Sequence, residues 1–408
     1  MQIRTALIST LSALLVTQTP AAAQSATFQL ISDALSANDM SPDGRWIVGG
    51  YTIGGFFEDG AYRYDTVNDV MLILPPPAFS AVAVSDDGSV VLGNMPDPTT
   101  EAQVAAIWRE STNTWESLGF LPNAQQCPSL SSAYELSADG SVAVGLSWEG
   151  CSGRGFIWTE SDGMLELESL ANGSNRASVV SGDGTVIGGF AQGSFSRTPA
   201  KWDASTDGEL LDPPNGDLLG EILGNRDDGS QLLGTASIDP MAQSNRAVRW
   251  TEANGFEQIG QGSVFSAWAG NAMDIADNGT VVGFDTFLTS RQAWIQYRGE
   301  GNLEAMKGFV VGLGATVPAG LNLDVAQAIS ADGSRIIGHG AGVAWMIEIE
   351  DSPACSADLN GDGVVDGADL ASLLAAWGST STPADLNGDG IVDGADLATM
   401  LSLWNSTC

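Results

Sequence analysis

The sequence predicts an all-β seven-bladed β-propeller followed by a small all-α calcium-binding domain. Three observations predict it. A hairpin phrase recurs seven times between residues 38 and 338, an aromatic residue recurs in the strand after each phrase, and a twelve-residue oxygen-rich loop appears twice near the C-terminus.

The phrase is an apolar strand, Ser-x-Asp-Gly or a near variant, and a second apolar strand ending in Gly. It begins as Asn38-Asp-Met-Ser-Pro-Asp-Gly-Arg-Trp-Ile-Val-Gly49 and Val82-Ala-Val-Ser-Asp-Asp-Gly-Ser-Val-Val-Leu-Gly93. Later copies end at Gly145, Gly188, Gly234, Gly283 and Gly338. Asp-Gly between alternating apolar residues marks a hairpin, because Gly accepts the positive φ that a tight turn demands. The third strand carries Tyr64, Trp108, Trp158, Trp202, Trp250, Trp294 or Trp345, and short fourth strands follow, as at Trp115–Leu118 and Phe256–Ile259. Four strands every 44 to 54 residues describe propeller blades, and seven of them close a ring. The last repeat ends at Trp345–Ile349 with no fourth strand, while Thr27–Ile31 stands as an orphan strand ahead of the first. That orphan is expected to complete the last blade.

Each oxygen-rich loop, Asp358–Asp369 and Asp385–Asp396, sets Asp or Asn at positions 1, 3, 5, 9 and 12 and Gly at position 6. This spacing suits Ca²⁺, a hard cation that takes six to eight oxygens. Position 7, Val364 or Ile391, offers its backbone carbonyl. Leu370, Leu373, Leu374 and Trp377 then recur at i, i+3, i+4 and i+7, as do Leu397, Met400, Leu401 and Trp404. Each set predicts a helix of about ten residues with one apolar stripe.

Two such loop–helix halves resemble a type I dockerin, a calcium-folded module that binds cohesin domains. The resemblance implies two calcium ions, held by Asp358, Asn360, Asp362, Asp366 and Asp369 and by Asp385, Asn387, Asp389, Asp393 and Asp396. It also implies a cohesin-like partner or a component of the cell envelope, met through loop positions 10 and 11. Those positions are Gly367, Ala368, Gly394 and Ala395, and no Lys or Arg follows Arg335. Upstream, Gly155-Phe-Ile-Trp158, Gln292-Ala-Trp294 and Gly342-Val-Ala-Trp345 are similar to the extracellular HAF repeats, without their literal His. That similarity implies a secreted repeat scaffold.

The start of the chain reads as a secretory signal, with Arg4, an apolar run from Ala6 to Val16 and Ala21-Ala-Ala23 before a cut. The expected organisation is a signal peptide over 1–23, the propeller over 24–350, a linker over 351–354 and the C-terminal domain over 355–408. Export suits disulfides. Four cysteines allow three pairings, of which Cys127–Cys151 and Cys355–Cys408 are favoured. The apolar run is too short to cross a bilayer. A formal charge of −35 repels phosphate backbones and excludes nucleic-acid binding.

No catalytic residue is nominated. The only histidine is His339, with no partner to form a nucleophile–base pair. The repeated Asp side chains are expected to serve their own turns. Trp115, Trp148 and Trp268 stand outside the repeated aromatic position, either to pack or to stack on carbohydrate. The leading expectation is a secreted, non-catalytic propeller scaffold attached through its calcium-dependent tail. The alternatives are a polysaccharide hydrolase or lyase and a structural cell-surface protein.

Overall fold

The computed structural model describes residues 25–52, 60–122, 129–149, 151–193, 197–211, 219–237, 245–264, 268–350, 356–380 and 382–406. The expected signal peptide and three cysteines, Cys127, Cys355 and Cys408, lie outside them. Cys151 is disulfide-bonded. Two compact units divide the chain at Ile349 and Glu350.

The first unit, Ala26–Ile349, consists of seven antiparallel sheets of four strands each. In the second blade the strands run Ser80–Val84, Val90–Pro96, Gln103–Arg109 and Thr114–Ser117. The first strand of each blade packs on the next blade, and the seventh packs on the first, closing a ring. The seventh sheet takes Val325–Ile329, Arg335–Gly340 and Val343–Glu350 from the end of the propeller, and its outer strand, Ser25–Leu30, from the beginning.

The hairpin phrase builds a repeated turn. Ser41 Oγ donates to Asp43 Oδ1 at 2.6 Å, and the same carboxylate accepts from Arg45 N at 2.9 Å. Ser85–Asp87, Ser137–Asp139, Ser181–Asp183 and Ser330–Asp332 repeat the contact. Gly44 sits at φ +73° and donates to Ser41 O. The turn carboxylates are therefore structural. Hydrogen bonds from the turn hold Asp87, Asp139 and Asp183 below the usual carboxylate range.

Third-strand aromatics fill the spaces between blades. Trp108, Trp294 and Trp345 are fully buried, each in an apolar cluster drawn from adjacent blades. The sequence reading did not anticipate a short helix, α1 (Met306–Gly312), between the sixth and seventh blades. Its Met306 and Val310 join the cluster around Ile295, Ile336 and Ile347.

The second unit is described over 356–380 and 382–406 and holds helices α2 (Gly367–Ala375) and α3 (Gly394–Ser402). Each starts on a capping box, with Asp366 and Asp393 as N-caps. The helices bury only Leu373 and Met400 fully from their stripes, in a cluster with Ala357, Val365, Ala384 and Val392. Leu374 is 51% exposed, Trp377 48% and Leu401 52%. The expected apolar stripe is thus half open to solvent. Among the described residues the whole chain has three short α-helices, and the dockerin reading of this tail is corrected: short loop-borne turns of helix stand there, not dockerin repeats.

Candidate functional site

The seven first strands enclose a central channel, which opens at the Ser-x-Asp-Gly end into a cavity of about 140 Å³. Every blade contributes to its wall. Two tiers of carboxylates face it.

The inner tier is Asp39, Glu135 and Asp274, from the first, third and sixth blades. They hold one register position: Asp39 pairs with Val48, Glu135 with Val144 and Asp274 with Val282 across to the second strand. Other blades put Ala83, Val179, Gly224 and Ala328 there. Asp39 Oδ2 accepts from Val84 N at 2.8 Å, and Asp274 Oδ2 accepts from Ile329 N at 2.8 Å. Each carboxylate thereby ties its blade to the next. Glu135 Oε1 accepts from Leu136 N at 3.0 Å.

Burial pushes Asp39 and Asp274 up to about 7, against the pull of these backbone donors. Burial raises Glu135 well above the carboxylate range, and the negative charge of Asp39 adds to the effect. All three touch the lumen and count as only partly buried by surface. A channel this narrow admits too little water to solvate a carboxylate as bulk water does, so desolvation governs.

The outer tier is Asp86, Asp227 and Asp277. Burial and neighbouring carboxylates raise Asp86 to about 6 and raise Asp227 in the same direction. At this level a belt of backbone hydrogen bonds runs from blade to blade. Asp86 N donates to Ala138 O, Ala138 N to Gly182 O, and Gly182 N to Asp227 O, at 2.7–2.9 Å. Asp277 N donates to Ala331 O and Ala331 N to Pro42 O, both at 2.7 Å. Pro42 has no N–H to continue the belt. Between the fifth and sixth blades an ion pair, Arg226 Nη2 to Asp277 Oδ1 at 2.7 Å, takes its place.

Burial thus favours the protonated, neutral form of the inner carboxyls, and the cavity suits hydrogen-bonding groups. Among its described lining residues the ionisable groups are these six carboxyls and Arg226, with no Ser, Thr, Cys, His or Lys. Aromatic side chains do not gather there either. Trp148 lies at the far end of its strand, opposite Gly153, and Trp268 precedes the start of a first strand and stacks on Phe287 at 5.9 Å. Trp115 packs between blades, its Nε1 donating to Pro75 O at 2.9 Å. His339 lies in the second strand of the last blade, and burial lowers its pKa.

The inner carboxylates are absent from the sequence reading, which followed the repeated turn Asp. Their signal is a charge two residues before the phrase's Ser or its equivalent, where an inward-facing strand position carries an acid in three blades.

The loop residues nominated for calcium are placed as follows. Asp369 and Asp396 are fully buried. Asp369 accepts from Asn360 N and Asp366 N at 3.0 and 2.8 Å. Asp396 accepts from Leu386 N, Asn387 N and Asp393 N at 2.7–3.1 Å. Asp358 and Asp385 accept from the glycine amides of their own loops, Gly361 and Gly363 or Gly388 and Gly390. Asn360 Nδ2 reaches Asp362 and Asn387 Nδ2 reaches Asp389, at 3.0 and 2.9 Å. Gly367, Ala368, Gly394 and Ala395 are exposed. The donor set, all Asp and Asn oxygen, fits a hard cation in kind. Among the described residues no three His, Cys, Asp or Glu side chains draw together as a metal cage.

No family model matches the chain, and no curated protein does. Among solved structures it is similar to an oligogalacturonate lyase in complex with manganese, 11% identical over 79% of this chain and 93% of that one, at a TM-score of 0.55. Putative TolB from Agrobacterium tumefaciens is 12% identical over 81% of this chain and 98% of its own, at a TM-score of 0.41. TolB from Acinetobacter baumannii is 13% identical at a TM-score of 0.38, over 57% of this chain. This chain spans 62% of its length. At such identities the likeness shows the propeller scaffold alone. No family model matches and the likeness found is to a propeller scaffold alone, so both the dockerin and the HAF-repeat identifications are withdrawn. No helix among the described residues is long and apolar enough to cross a membrane.

Proposed function

We propose that this protein is an exported, non-catalytic propeller scaffold whose C-terminal unit folds around two calcium ions and attaches it to an extracellular partner. One observation carries the calcium. Asp369 and Asp396 are fully buried in a unit whose sequence has eight Asp and no Lys or Arg after Ser352. Backbone N–H groups serve these two carboxylates, but no basic side chain of the unit balances the charge of the eight Asp, which calls for a cation. In each loop the side chains at positions 1, 3, 5, 9 and 12, from Asp358 or Asp385 onward, would hold the ion, with the Val364 or Ile391 carbonyl. The ion would neutralise carboxylates that otherwise repel one another in a very small core. Metal binding and folding of the unit are then one event. Disulfides Cys127–Cys151 and Cys355–Cys408 belong to the same proposal of an exported protein.

Native mass spectrometry of the full chain is expected to count two bound Ca²⁺. In EDTA, proteases are expected to remove residues after Glu350 while the propeller stays intact. Equal protease resistance of the tail in EDTA and in calcium would sink the proposal.

A second reading, cleavage of a polysaccharide within the channel, is favoured by the carboxyl groups held protonated near neutral pH. It requires reducing-end release from a polysaccharide panel that disappears in Asp39→Asn or Glu135→Gln.

A further inference from the structure

A second pocket, of about 430 Å³, lies between the fourth and fifth blades at the end of the ring away from the carboxylate mouth. Gly220 and Glu221 begin the first strand of the fifth blade here, whereas Asn225 at its other end faces the channel cavity. Six residues of strand separate the two by roughly 17–20 Å.

Three features make this a built site. Thr235 lies in its wall, only 7% exposed, and its Oγ1 has no hydrogen-bond partner. A buried hydroxyl left unpaired is costly, and a ligand atom that reached it would recover that cost. Arg197 and Arg176 grip one carboxylate from two sides, with Glu221 Oε2 at 2.8 and 3.3 Å. Both guanidiniums also lie over the Phe190 ring, at 4.3 and 5.1 Å.

The two arginines differ in what they leave free. Arg176 is held by Ser178 Oγ at 3.0 Å and by the Tyr134 hydroxyl at 3.5 Å as well as by Glu221. Arg197 is half exposed and, among the described residues, spends only Nη1. Its Nε and Nη2 have no partner among the described residues, on an aromatic-backed guanidinium suited to a planar carboxylate. Two guanidiniums on one Glu leave a local charge of +1 in a chain of −35. Gln192 and Asn245 complete the wall with neutral amides.

We propose that this pocket binds a small carboxylate bearing several hydroxyl groups, the chemistry of a sugar acid. The carboxylate lies on Arg197, a hydroxyl pairs with Thr235, and the amides take the remaining hydroxyls. Glu221 stays in place, and its charge fixes the two guanidiniums against Phe190.

The test is calorimetric titration of the full chain with glucuronate, with glucose and acetate as arms that carry only the hydroxyls or only the carboxylate. Saturable glucuronate binding is expected, with glucose and acetate weaker by about tenfold or more, the worth of one lost charge-assisted contact. Arg197→Gln is expected to weaken glucuronate by about tenfold, and Thr235→Val by a few-fold without lowering Tm. The near-isosteric Thr235→Val keeps the test clear of misfolding. No saturable glucuronate binding overturns the proposal, as do equal binding of glucose or acetate and unchanged affinity in Arg197→Gln.

Discussion

At the residue scale the channel carboxylates set a pH dependence whose sign follows from burial. Asp39 and Asp274 carry folded-state pKa values raised to about 7, with burial as the largest cause. A carboxyl raised on folding binds more protons in the native than in the unfolded chain. Its stabilising contribution is therefore complete below the unfolded value near 3.8 and is lost as pH rises through about 7. Asparagine stands in for the protonated form at every pH and keeps one acceptor for Val84 N or Ile329 N. Asp39→Asn and Asp274→Asn are each expected to gain Tm relative to the parent as pH goes from 5 to 8, by roughly 2 °C or more. Thermal melts at the two pH values check it, and a difference that does not change with pH refutes it. These acids were hard to read in the sequence because a strand-borne Asp looks like its turn-borne neighbour. Asp39 and Asp43 stand four residues apart, yet one faces the lumen and the other closes its own turn.

At the element scale the phrase's terminal Gly has a reason the sequence did not disclose. A bulge in the first strand swings a carbonyl toward the second strand, so a Cβ at Gly145 would lie 2.2 Å from Ser132 O. A Cβ at Gly49, Gly93, Gly234, Gly283 or Gly338 would likewise lie 2.0–2.4 Å from a backbone carbonyl oxygen. In the fourth blade the equivalent is Gly189, 1.9 Å from Arg176 O, and not Gly188, where the sequence phrase ends. Backbone cannot yield as a side chain does, so Gly145→Ala is expected to destabilise the propeller by about 2–3 kcal/mol in urea denaturation. A loss under about 0.5 kcal/mol, the range of a neutral surface change, would show that the bulge relaxes. Blades are also stitched to each other through third strands. Arg63, 6% exposed, lies over Trp46 and Trp108 at 4.4 and 5.2 Å and reaches Glu110 of the next blade at 2.7 Å. Arg63→Met removes a packed guanidinium bonded to Gly88 O and is expected to cost about 2 kcal/mol. Glu110→Gln, at a side chain 57% exposed, is expected to cost under about 1 kcal/mol by the same denaturation. Equal losses in the two variants would place the stitch in the ion pair and not in the packing.

At the scale of the molecule, seven blades are legible because each repeats a glycine turn and an aromatic in its third strand, buried or half-buried, and tertiary packing agrees with both. The tail shows the opposite limit: a twelve-residue pattern fixes which oxygens a loop carries, but not how the helix after it packs. Leu374 and Leu401 satisfy the helical spacing and still face solvent. Closure of the ring rests on the first strand. Ser25–Leu30 lies beside Val343–Glu350 in the last sheet, and its Ala26 and partly buried Phe28 pack on the cluster holding Ile347 and Ile349. Ile31 N donates to Ala344 O at 3.1 Å, and Ala26 N to Leu313 O at 3.0 Å. Arg335 adds a second clasp, with Nη1 donating to Gly44 O at 2.6 Å and to Thr66 Oγ1 at 2.9 Å across the joint between last and first blades. Without Ser25–Ile31 the last sheet would present an unpaired edge and bare apolar side chains, and the belt at the channel mouth already lacks its Pro42 donor at the next junction. Deleting residues up to Ile31 is therefore expected to lower the propeller's Tm by roughly 5 °C or more, since several kcal/mol of pairing and burial go with the strand. A synthetic peptide of the Ser25–Ile31 sequence is expected to bind the truncated protein and restore part of that loss, because the vacated edge is a ready template. Unchanged melting after the deletion would mean that the Arg335 clasp and blade packing hold the ring without the strand.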